Sequence, residues 1–230
     1  MSKKVIIVFG PPGAGKGTQS ELLSEKFGYY HLESSKVLEH CFKTESPDKI
    51  FTVDGKDYKV GDEIASWKTG VLTSPPFITG MMMEEFKQLS EDGESFIVSG
   101  SPRTLYEAEK EMPLLAELYG KENIKICMIE ISADVTIFRN THRKVCELMR
   151  HSILFNEETE KLTICPLDGS KLAKRKDLDT AEVIKTRLVQ YKERTQPLFE
   201  YFTKEGFTIN KVNGEKSVSQ VHEQMVKAVE

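Results

Sequence analysis

A chain of 230 residues, 39% hydrophobic and 30% charged, carries enough apolar material for one large or two small packed domains. Its formal net charge of −4 argues against a basic nucleic-acid face, and no apolar run approaches the roughly 20 residues that a membrane-spanning helix needs. Polyanionic ligands therefore have to be met by locally placed basic residues. Four cysteines, at 41, 127, 146 and 165, form no disulfide framework for a chain this long, and the first strand begins too early for a secretory leader; a cytoplasmic address is the expectation.

The first predicted strand, 4–9, is the apolar run that ends in Phe9, and the first helix covers 16–27. Between them stands Gly10-Pro11-Pro12-Gly13-Ala14-Gly15-Lys16-Gly17-Thr18. A glycine-rich turn between strand and helix lets successive backbone N–H groups and the positive end of the helix converge on phosphate oxygens, and Lys16 adds a charge for the outer phosphates. Further strands are expected at 29–32, 95–99, 124–131 and 207–212, each of a length suited to a buried parallel strand. Helices are expected at 34–42, 76–89, 105–119, 134–149, 180–201 and 218–229. Strands alternating with helices imply a parallel sheet covered on both faces, a three-layer α/β core. Two polar stretches interrupt the alternation. Residues 45–68 offer a small hairpin across Phe51 to Tyr58, and residues 150–174 are short-periodic and punctuated by Cys165-Pro166-Leu167-Asp168-Gly169. Both read as insertions able to close over substrates. Met82, Met83 and Phe86 share one helix face, which suits packing, as do Cys41 and Cys127; Trp67 is placed either in the core or beside an acceptor pocket.

The loop, with Gly17 after the lysine and the hydroxyl one place later at Thr18, resembles the G-x-P-G-x-G-K-G-T of the adenylate kinase family of nucleoside monophosphate kinases. The resemblance extends over nearly the whole chain. Gly70-Val71-Leu72-Thr73-Ser74 is similar to its G-x-L-V-T segment, and Ser99-Gly100-Ser101-Pro102-Arg103-Thr104 to its D-G-F-P-R-T. Arg139 and Arg143 match the arginine pair entering the lid. Arg175-Lys176-Asp177, then Arg187 to Tyr191 and Thr195 to Leu198, resemble the run leaving it. The resemblance implies a P-loop core from 1–32, 76–143 and 179–230, a monophosphate-binding insertion at 33–75 and a lid at 144–178. It implies that Gly10, Gly13, Ala14, Gly15, Lys16, Gly17, Thr18, Arg139, Arg143 and Lys216 bind ATP. Ser34, Lys36, Glu39, Val71, Leu72, Thr73, Gly100, Arg103, Glu107, Arg175 and Arg187 then bind the monophosphate. Lys16, Arg103, Arg139, Arg143, Arg175 and Arg187 would carry catalysis, with Lys176 as an alternative to Arg175. Transfer of a phosphoryl group between polyanions needs positioning and charge neutralisation, which accounts for that many cations.

Some positions depart from the family pattern. Ser99 stands where an aspartate helps hold the water shell of Mg²⁺; a hydroxyl can bond a metal-bound water but offers no charge. Glu39 replaces an arginine for the acceptor phosphate, with Lys36 one turn earlier as substitute or partner, and Glu107 replaces a glutamine that reads the adenine edge. In the lid, Cys146, Cys165 and Asp168 supply three ligands of a zinc ribbon whose fourth place holds Met149. A neighbouring histidine such as His151 would complete it, and Phe155-Asn156 resembles zinc-free lids. On ligand count the zinc-free lid is favoured over zinc.

The expected function is reversible transfer from Mg·ATP to AMP by a monomer, with no nucleic-acid or membrane partner. The rivals are a kinase of the same class with another base preference, a weakened ATP-binding module, and a zinc-ribbon interaction protein. Base preference, turnover and stoichiometric zinc discriminate among them.

Overall fold

The computed structural model describes residues 3–149, 151–174 and 179–230. Strand β1 (Val5–Phe9) leads through the glycine loop into helix α1 (Lys16–Phe27), then β2 (Tyr30–Glu33) and α2 (Ser34–Thr44). A hairpin of β3 (Ile50–Val53) and β4 (Lys56–Lys59) follows, then α3 (Val60–Lys68), α4 (Pro75–Glu91), β5 (Phe96–Ser99) and α5 (Leu105–Tyr119). The chain continues with β6 (Ile124–Glu130), α6 (Ala133–His142), β7 (Lys144–Cys146), β8 (Ser152–Ile153) and β9 (Leu172–Ala173). It finishes with α7 (Ala181–Gln190), α8 (Leu198–Lys204), β10 (Ile209–Asn213) and α9 (Val218–Val229).

The central sheet is parallel throughout, in the order β10-β6-β1-β5-β2. Every β1 residue is buried because both faces are covered, so the strand reads as an unbroken apolar run. The pleat still sorts the side chains. Val5, Ile7 and Phe9 join Met82 and Phe86 of α4, Met112 of α5 and Phe202 of α8 on one face, while Ile6 and Val8 meet Leu23 of α1 and Met225 of α9 on the other. The three-layer α/β expectation holds. Met82 and Phe86 are core residues as expected, and Met83 is only partly buried. Cys41 and Cys127 are buried apolar fillers.

The helix expected over 134–149 stops at His142. Arg143 turns extended (φ −61°, ψ 136°), and Lys144–Cys146 become the middle strand of a small antiparallel sheet with β8 and β9, burying Val145 and Cys146. The single helix expected over 180–201 is instead α7, a π-helical turn at Tyr191–Thr195 and α8, because Pro197 has no N–H to continue the ladder. The hairpin forms at the expected place, with Asp54 at φ 51° in its turn, and Tyr106 Oη donates to Asp54 Oδ2 at 2.7 Å, tying it to α5. Helix α3, unexpected from the polar composition, was signalled by Val60, Ile64 and Trp67 at i, i+4 and i+7. Its buried Glu63 accepts from the N–H of Ser74 at 2.7 Å, just ahead of α4.

Candidate active site

The loop after β1 is shaped by three glycines at positive φ. A side chain at Gly10 (φ +150°) would put its Cβ 2.6 Å from the carbonyl oxygen of Ile129, and one at Gly13 (φ +79°) would lie 2.4 Å from Asn140 Nδ2. The loop is thus pressed onto β6 and α6, with Ala14 sealed into the core at 2% exposure. Gly15 faces open space, with nothing within 4 Å of a Cβ built there. It caps α1 without a side chain, and no acidic residue occupies that helix's first turn, so the N-terminal N–H groups and the helix dipole are directed at whatever anion enters. Lys16 Nζ donates to the carbonyls of Gly10 (2.8 Å) and Pro11 (3.0 Å), which holds the ammonium over the cradle.

A cavity of about 770 Å³ opens from this loop. It is lined by Arg139, Arg143 and Lys216 with Phe138 and Phe155, by Lys36, Glu39, Val71, Leu72, Thr73, Gly100 and Arg103, and by Arg187 of α7. Gly10, Gly13, Ala14, Gly15, Lys16, Gly17 and Thr18 form its floor. Arg175 and Lys176 lie outside the described residues. Ser34 and Glu107 do not line the cavity. Ser34 Oγ donates to the Gly100 carbonyl at 2.6 Å and accepts from Arg103 Nη2 at 3.3 Å, so it supports Arg103 from behind. Glu107 is turned away from the cavity: it accepts from the Arg103 N–H (2.7 Å) and from Thr104 Oγ1 (2.8 Å), capping α5. The start of a helix has donors that outbid an open cavity for a carboxylate.

Residues that sequence reasoning passed over complete the frame. Asp179, with 2% of its side chain exposed, receives Arg143 Nη2 at 2.7 Å and Nε at 3.4 Å. Thr195 Oγ1, in the π-helical turn, donates to the Arg103 carbonyl at 2.9 Å. Lys43 lines the cavity one turn beyond Glu39, so Lys36 and Lys43 flank that carboxylate along α2.

In the small antiparallel sheet His151 joins the three expected ligands, and Met149 stays out of the set with 64% exposure. The ligand atoms of Cys146, His151, Cys165 and Asp168 all lie within 4.8 Å of one another. His151 Nδ1 is 3.6 Å from Cys146 Sγ, 3.7 Å from Cys165 Sγ and 3.3 Å from Asp168 Oδ2, and Cys146 Sγ donates to Asp168 Oδ2 at 3.0 Å. A tetrahedral zinc with bonds of about 2.0 Å to nitrogen and oxygen and 2.3 Å to sulfur has ligand–ligand edges of roughly 3.3–3.8 Å. The quartet fits that ion in chemistry, and the three separations from His151 match those edges, while Cys146 to Asp168 is shorter.

The sequence profile described as adenylate kinase matches residues 8–207. The chain is 30% identical over 227 residues to the adenylate kinase of Caldicellulosiruptor saccharolyticus, covering 97% of this chain and 98% of that protein. It is 30% identical over 219 residues to that of Bacillus subtilis, covering 94% of each, and 30% identical over 226 residues to that of Methanothrix thermoacetophila, covering 97% of each. The chain belongs to the adenylate kinase family.

Within that family frame the departures acquire geometry. Ser99 is 3% exposed and its Oγ lies 3.1 Å from His31 Nε2 on the neighbouring strand; burial pushes the His31 imidazole down, so the pair is neutral. Lys36 Nζ lies 3.8 Å from Glu33 Oε2. Lys16 is pushed down to about 7, first by its removal from water and then by the charges of Arg103, Arg187 and Arg143, with Glu33 opposing. A phosphate chain favours the charged form, so ATP binding is expected to take up about one proton at about pH 8 and almost none at about pH 6. Affinity then falls as pH rises above 7. Calorimetric titration in two buffers of different ionisation enthalpy measures this uptake; an uptake independent of pH excludes Lys16 as its source.

Proposed function

We propose that this chain transfers the γ-phosphoryl group of Mg·ATP directly to AMP, reversibly, giving two ADP. The observation that carries the reading is the convergence of Lys16, Arg103, Arg143 and Arg187 on one cavity, close enough that the three guanidinium charges depress the lysine. Such crowding of cations has no purpose in an apolar or neutral-ligand pocket, and matches a transition state whose charge spreads over several phosphate oxygens. The loop amides and Lys16 hold the ATP phosphates, with Arg139 and Lys216 on the same side. Arg103 grips the acceptor phosphate, and Arg143 and Arg187 flank the group in transit. Magnesium entering with ATP would supply positive charge that offsets part of the phosphate charge in this cavity. Residues 33–75 act as the acceptor-binding insertion and 144–178 as the lid, whose closure excludes water and so suppresses hydrolysis. One chain supplies the described lining of the cavity, so a monomer suffices, and four cysteines without a disulfide suit the reducing cytoplasm.

The test is ADP formation from Mg·ATP with AMP, GMP, CMP and UMP in parallel. Turnover chiefly with AMP is the expected result. Glu107, turned onto the helix cap, is the observation that favours the second reading, in which another base is preferred; comparable or better turnover with GMP, CMP or UMP would select it.

Cys146, His151, Cys165 and Asp168 serve as a structural zinc site that braces the lid, because four donors of the right kind meet at the right spacing. No helix among the described residues is long and apolar enough to cross a membrane. The purified protein is expected to retain one zinc through dialysis, and Cys165→Ser to lose it and lower the melting temperature by roughly 5–10 °C. Elemental analysis with thermal unfolding decides; a metal-free native protein with an unshifted variant restores the zinc-free lid.

A further inference from the structure

Among the described residues, the carboxylates bordering the cavity are Glu21, Glu33 and Glu39, and Glu33 alone ends a central strand. Val8 of β1, Ser99 of β5 and Glu33 of β2 stand side by side in register. Neighbouring strands are about 4.8 Å apart, so Glu33 starts about 10 Å from the strand that feeds the phosphate loop. That gap suits a carboxylate and one water layer. In-register positions of parallel strands face the same way, and so does His31 two residues earlier. One face of the sheet therefore presents the Glu33 carboxylate beside the neutral Ser99 hydroxyl, with the neutral His31 imidazole two residues back on the same strand.

The carboxylate is held in place. Ser35 Oγ donates to Glu33 Oε1 at 2.5 Å, Lys36 Nζ lies 3.8 Å from Oε2, and 30% of the side chain is exposed. Its field also reaches the cradle, for it opposes the downward shifts of both Lys16 and Arg103. Magnesium keeps several waters in an octahedral shell, and those waters require acceptors, best supplied by an anion. Ser99 and His31 offer no charge.

We propose that Glu33 is the carboxylate through which this chain recognises the hydrated magnesium accompanying ATP, accepting from its water shell and repelling metal-free nucleotide. The inference rests on the reading of the cavity as an ATP site. It assigns to the end of β2 a discriminating role that Ser99 cannot fill.

Calorimetric titration of wild type and Glu33→Gln with ATP in EDTA and with Mg·ATP separates the two claims. The expected result is opposite shifts: about fivefold tighter binding of metal-free ATP and about fivefold weaker binding of Mg·ATP, the size of one unit charge acting across about 8 Å of wet protein. Ser99→Asp added to Glu33→Gln places a carboxylate on the adjacent in-register position and is expected to return the preference for the metal complex. Thermal unfolding of each variant verifies folding. Equal changes for both forms of ATP, a magnesium preference undiminished in Glu33→Gln, or failure of the Ser99→Asp rescue overturns the proposal. Failure of the wild type to bind either form overturns the ATP site itself, and the role of Glu33 with it.

Discussion

Arg103→Ala is expected to lower kcat/KM for the acceptor about a thousandfold, a loss of about 4 kcal/mol of transition-state stabilisation, while the Kd for ATP changes by no more than about twofold. The asymmetry follows from where the residue sits. Arg103 lines the cavity and is fixed from three directions: its guanidinium bonds Ser34, its N–H bonds Glu107 and its carbonyl accepts from Thr195. Such a frame gives the side chain its aim before substrate arrives, which is what makes its contribution specific to the transition state. Arg103→Lys is expected to recover little, since a point charge replaces a planar fork that can hold two phosphate oxygens. Initial rates with AMP, beside calorimetric ATP binding, are the check. Equal losses in both quantities would mean that Arg103 maintains the loop instead of serving the acceptor.

Asp179→Ala is expected to reduce kcat about a hundredfold and to destabilise the fold by about 2–4 kcal/mol, discounted from the roughly 3–5 kcal/mol for breaking a fully buried pair because Arg143 remains 23% exposed. Asp179 lies behind Arg143 and does not line the cavity, so it acts as a positioning residue. Its loss leaves the guanidinium with its charge but without its aim. A double-mutant cycle with Arg143→Ala distinguishes the roles: once the arginine is gone, removing the aspartate should cost little further activity. Additive losses in kcat would rule out action through Arg143. Urea unfolding gives the stability change independently.

The parallel sheet and its phosphate loop were legible because the signals are local. Buried strands read as apolar runs, and a strand–glycine turn–helix sequence has few other uses. Arg103, Arg139, Arg143 and Arg187 were found by their place in matching segments, and they line the cavity. What the segments withheld was direction. Position 107 lies on the helix turn beside the acceptor site, yet the donors at the start of α5 draw its carboxylate away from the cavity. Asp179 was missed, and Thr195 was placed in a matching segment without a role, because their partners lie 36 and 92 residues away in the chain. His151 stood five residues from Cys146, but only the pairing of β7 with β8 turns it toward Cys165 and Asp168. The end of α6 was overrun for a related reason: nothing in Lys144-Val145-Cys146 forbids a helix, and the partners that make it a strand come from later in the sequence. Helix α3, by contrast, carried a readable apolar stripe that its charged neighbours obscured.

The chain has one tryptophan, and α3 sets it at the cavity lining beside Gly70 to Thr73, with its ring edge-on to Phe42 at 5.9 Å. Ultraviolet emission excited at the red edge, where tyrosine does not absorb, therefore originates at a single spot on the cavity lining, beside the place proposed for the monophosphate. Binding of AMP can be followed in the unlabelled protein through that intrinsic signal, separately from events at the phosphate loop.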